Sequence, residues 1–81
     1  MFQIFTEDRN RSKLLKIFSE HLQNYTLLFG DGMWRGVSEP CIVVQFTGVP
    51  HTVAEQIAES IRQINSQESV LLIELQTKVK A

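Results

Sequence analysis

The chain has 81 residues, 43% of them hydrophobic and 21% charged, with a formal net charge of -1. That length supplies one modest core and excludes a second domain, and the composition excludes a disordered chain. The near-neutral balance removes the positive field that drives non-specific binding to DNA or RNA, so nucleic acid is not an expected partner.

Phe2, Ile4 and Phe5 lie in a β-prone run over residues 2–6 that predicts a first strand. From about Asp8 to Gln23, Leu14, Leu15, Phe18 and Leu22 recur on one helical stripe, with Thr6 or Asp8 as the expected cap and Asn24 as the stop. Tyr25–Phe29 reads as a second strand. Gly30-Asp31-Gly32 then implies either a bulge inside a long strand or the turn of a separate hairpin, before Met33-Trp34-Arg35 extends again. Gly36-Val37-Ser38 is the expected hairpin tip. Pro40 to Phe46 follows as a strand whose proline sits at its start, where a lost donor is tolerable.

Gly48-Val49-Pro50-His51 breaks that strand, and Thr52 and Glu55 have the spacing of a capping box. The helix predicted from there carries Val53, Ala54, Ile57, Ala58, Ile61 and Ile64 on its apolar side. Ser69 to Lys80 alternates, with Leu71, Ile73, Leu75 and Val79 on one side, and predicts a last strand. The order β-α-β-β-α-β implies a single α+β domain over residues 1–81, with two helices on one face of a four-stranded antiparallel sheet.

Such a sheet has a second face, and it is not polar throughout. If Leu71, Ile73 and Leu75 face the helices, Val70 and Leu72 face away; if Ile42, Val44 and Phe46 face in, Cys41 and Val43 face out. Met33 and Trp34 add to this surplus, which exceeds what a monomer ordinarily exposes and predicts a homo-oligomer, a dimer or trimer. Trp34 beside Arg35, with Glu39 close by, supplies the residue types that dominate protein-binding surfaces. The expected interface therefore comprises Met33, Trp34, Arg35, Glu39, Cys41, Val43, Val70 and Leu72.

Arg9, Arg11, Lys13 and Lys16 crowd one segment. They form a solvated helix face or, with Arg35, a site for a small anionic ligand. His21 and His51 have no cysteine or carboxylate at ligand spacing, so no metal or other cofactor is expected. Cys41 is the sole cysteine and has no basic neighbour, which predicts an unreactive thiol and a reducing compartment. The N-terminus lacks the basic and apolar regions of a signal peptide, and no apolar run approaches a membrane span; the expected location is cytoplasmic, without membrane contact. Nothing assembles a nucleophile with a base, so no enzyme activity is expected.

Trp34-Arg35-Gly36, then Glu39 and the apolar Ile42-Val43-Val44, resembles the ferredoxin-like families that include PII signalling proteins and CutA-like proteins. Gly32 to Pro40 is also similar to small bacterial and phage proteins with a Gly-x-Trp-x-Gly-x-x-Glu pattern. These resemblances imply a ferredoxin-like sandwich and homo-oligomerisation through the hairpin. The chain lacks the long nucleotide-binding loop of PII proteins and the cysteine and histidine character of CutA-like metal binding. The expectation is a small accessory or regulatory protein that binds another protein, or else a PII-like sensor of an anionic ligand such as a nucleotide.

Overall fold

The computed structural model describes residues 1–76, with Trp34 described through its backbone; the part of the expected last strand that carries Lys78, Val79 and Lys80 lies outside them. The elements are β1 (Phe2–Glu7), α1 (Arg11–His21), β2 (Tyr25–Trp34), β3 (Val37–Phe46), α2 (His51–Ile64) and β4 (Leu71–Glu74). They form one four-stranded sheet in the order β2-β3-β1-β4, antiparallel throughout, which is the ferredoxin-like α+β arrangement.

Both helices cover one face. Their stripes bury Leu14, Ile17, Phe18 and Leu22 from the first helical segment and Ala54, Ile57 and Ile61 from the second, against Phe2, Ile4, Ile42, Val44 and Phe46 of the sheet. Ile17 thus joins the buried set, while Leu15 is only half-buried at its margin. Phe2 stacks on Phe46 with ring centroids 5.5 Å apart, and Phe18 meets Tyr25 in a tilted contact, centroids 5.6 Å apart and planes at 56°.

The helix caps differ from expectation. Thr6 belongs to β1, Asp8 turns to Arg11, and α1 starts from Asn10 in a left-handed conformation (φ 53°). The Asn10 side chain donates to Ile64 O and Asn65 Oδ1, both at 3.2 Å, tying the start of one helix to the end of the other. Pro50, not Thr52, is the N-cap residue of α2, and Glu55 pairs with His51 instead of closing a capping box. α2 ends in a Schellman turn: Gln67 N–H donates to Arg62 O and Ser66 N–H to Gln63 O, with Ser66 left-handed at φ 52°.

β2 runs unbroken through Gly30-Asp31-Gly32, which pair in register with Cys41, Pro40 and Glu39; there is no bulge. The tip is one residue earlier than expected. Trp34 pairs with Val37 across Arg35 and Gly36, both at positive φ (50° and 79°), as a two-residue turn compatible with strand twist requires. Pro40 therefore lies inside β3. Its carbonyl accepts Asp8 N–H at 3.0 Å, so its missing donor points to the place where the β1 ladder ends and no further rung is due. Beyond that point β2 and β3 continue as a two-stranded arm.

Candidate functional site

Strand pairing sets the composition of the face away from the helices. Leu28, Val43, Phe5 and Leu71 are consecutive cross-strand partners and form one apolar row spanning all four strands. Leu28 and Leu71 are 47% and 57% exposed, and Phe5 and Val43 are half-buried. Thr26, Gln45, Gln3 and Ile73 form the row on one side, and Gly30, Cys41 and Glu7 the row on the other. Neither α1 nor α2 covers this face.

Cys41 and Val43 thus face outward as the alternation predicts, but Val70 and Leu72 do not. Leu72 pairs with the fully buried Ile4, and both Val70 and Leu72 pack against the core; Leu71 and Ile73 take the outer face. A register slip of one residue exchanges every side chain between faces, and the register is set upstream of the strand. Asn65, 2% exposed at the end of α2, donates from Nδ2 to Thr6 Oγ1 (3.1 Å), Glu7 O (3.2 Å) and Gln67 Oε1 (3.0 Å). Thr6 Oγ1 in turn donates to Gln67 Oε1 at 2.6 Å. This buried junction holds the α2–β4 connection against the end of β1 and fixes which residue enters β4 first.

Where the arm leaves the sheet, a cleft of about 490 Å³ opens beside the apolar row. Phe5, Leu71 and Met33 give it apolar walls, Glu7, Glu39 and Cys41 line it from the strands, and residues 66–69 close it from the α2–β4 loop. Arg35 at the arm's tip reaches Glu68 of that loop, with Nη2 3.6 Å from Oε2. Glu7 lies 2.7 Å from Arg9 Nε. Burial raises the Glu7 carboxyl above its ordinary range; Arg9 pulls the other way and the adjoining Glu39 carboxyl adds to the rise.

The expected cations are dispersed into pairs. Arg9 meets Glu7, Arg11 forks onto Asp8, Lys16 lies 4.0 Å from Glu20, and Arg35 meets Glu68. Lys13 is exposed on α1. Arg11 also lies over the Phe29 ring, 4.7 Å from its centroid, at the sheet edge. An anion at Arg9, Arg11 or Arg35 would compete with a carboxylate already in place. Met33 remains 70% exposed on the arm, and Trp34 holds its backbone place opposite Val37.

The histidines sit elsewhere. His51 Nε2 is 2.7 Å from Glu55 Oε1 and Nδ1 is 3.0 Å from Glu74 Oε2, so each ring nitrogen faces a carboxylate and the ring joins α2 to β4. Those two hydrogen bonds, Glu55 first, raise its pKa above the usual 6.5. Among the described residues, no group of three His, Cys, Asp or Glu side chains is placed to hold a metal ion. Nor is any helix among them long and apolar enough to cross a membrane. In comparison with known proteins, no family model matches the chain and no curated protein matches it.

Proposed function

We propose that the chain is a small non-enzymatic protein-binding module that self-associates through its sheet and arm and acts by docking another protein. The observation that carries this reading is the row Leu28–Val43–Phe5–Leu71, an apolar band on a face that no element among the described residues covers. A β-sheet exposing such a band gains free energy from any surface that removes it from water. The arm carries the strand pair beyond this row, with Met33 70% exposed on it. The pairing of Arg9, Arg11 and Arg35 with carboxylates weighs against an anion sensor.

Sedimentation equilibrium at micromolar concentration is the direct test, with an expected mass two or three times 9.3 kDa. Val43→Asp and Phe5→Asp place a charge on the row without entering the core, so the monomer should still fold while assembly or partner capture weakens. A mass of 9.3 kDa at every concentration would refute self-association.

A further inference from the structure

β2 is a terminal strand of the sheet and ten residues long. Asp8 N–H bonding to Pro40 O shows that the even-numbered residues of β3 turn their backbone groups toward β1, so its odd-numbered ones turn toward β2. Through the pairing of Gly30 with Cys41 and Leu28 with Val43, the even residues of β2 are thereby satisfied. Tyr25, Leu27, Phe29, Asp31 and Met33 instead aim their N–H and C=O groups outward, and among the described residues no backbone or side-chain bond reaches them. Natural edge strands of this length are usually blunted by charged residues, proline or a bulge; β2 has no proline, lysine or bulge, and Asp31 is its one charge.

We infer that this edge is a strand-addition site and that its occupant is β2 of a second copy, joined about a two-fold axis into one eight-stranded sheet. The outward-facing residues are symmetric about Phe29. One antiparallel register therefore satisfies all of them at once: Phe29 opposite Phe29 of the second copy, Leu27 opposite Asp31, and Tyr25 opposite Met33. Charge agrees with that register. Asp31 is the only charged residue of β2 and has no ion pair among the described residues, while Arg11 lies over Phe29, one row from where Asp31 of the second copy would sit.

Gly30 supplies an independent argument. Its φ is not positive, and a Cβ built there would meet nothing within 4 Å, so neither backbone conformation nor packing within the chain calls for glycine in mid-strand. In the symmetric register, Leu28 of the second copy falls opposite Gly30 on the open face. The missing side chain then makes room for a leucine from across the axis, and the apolar row of each copy is carried to the junction. This inference rests on the reading that the chain self-associates, and it specifies the partner and the atoms that join.

Amide hydrogen exchange by NMR at a concentration where the assembled species dominates tests it. Pairing across the edge protects consecutive amides through residues 25–33, whereas an unpaired edge protects only the alternate, β3-bonded ones. Gly30→Val, at a position where an added Cβ meets nothing within 4 Å, should return the alternate pattern and a mass of 9.3 kDa with the circular dichroism of the native fold. An assembled protein that keeps alternate protection, or a Gly30→Val variant that stays assembled, would overturn the edge inference and leave self-association through the open face standing. A native protein that is monomeric throughout overturns both.

Discussion

Replacing Asn65 should destabilise the fold more than its position at a helix end suggests. Asn65→Ala removes a donor group that serves Thr6 Oγ1, Glu7 O and Gln67 Oε1, and an acceptor for Asn10. Glu7 O keeps Arg9 N–H as a donor at 2.9 Å, and Asn10 is exposed to water, so about two bonds are lost without replacement. At about 0.5–1.5 kcal/mol each, plus a small cavity at a site only 2% exposed, the cost is about 2–3 kcal/mol. For a chain of this size that is a large share of a total stability of roughly 4–12 kcal/mol, and it lowers Tm by about 10–20 °C. Asn65→Asp should be worse, because it turns a carboxylate oxygen, instead of a donor, toward the acceptors Glu7 O and Gln67 Oε1. Urea denaturation of the three proteins measures both differences. A loss below about 0.5 kcal/mol for Asn65→Ala, or Asn65→Asp proving the milder change, would refute the junction as the element that anchors β4.

Ile57→Ala, at a fully buried site on α2, should cost about 2–5 kcal/mol in the same assay; a loss below about 1 kcal/mol would mean that the stripe does not form the core. Gly36→Val forces a branched side chain to φ 79° in the turn and should cost about 1–2 kcal/mol, seen as increased amide exchange in the arm. His51 should titrate above 6.5 by NMR, and Glu74→Gln should bring it down. Since folding raises that pKa, the contribution is fully present below the unfolded value and is lost as pH rises through the folded one. Stability should therefore decline with increasing pH across that window, and His51→Gln should remove that component of the slope.

Much of the architecture was legible because its signals were local. The stripe Ala54–Ile57–Ile61 and the inward set Ile42–Val44–Phe46 each show one period with one apolar side, and burial follows. The last strand was ambiguous for the same reason: Val70 and Leu72 are as apolar as Leu71 and Ile73, so alternation alone could not choose a face. The deciding residue was Asn65, which reads as a helix terminator but acts through partners some 59 positions away. Gly30 and Gly32 suggested an interruption because strand propensity is weak there, whereas the pairing partners hold the chain extended. The cleft was out of reach, since Glu7, Glu39 and residues 66–69 meet only through the fold.

The two ends of the sheet differ in how far along the chain their contacts reach. β2 and β3 close over a two-residue turn, so their ladder can zip from the tip without waiting for any other segment. β4 joins β1 across nearly the whole chain, with Met1 and Leu75 exchanging bonds 74 positions apart. Closing so long a loop is the entropically expensive step, and only a four-residue strand rewards it. Assembly should accordingly begin at the arm and finish at β4. In reverse, β4 is the first strand to detach, uncovering the edge of β1 and presenting a second place where an extended segment could add.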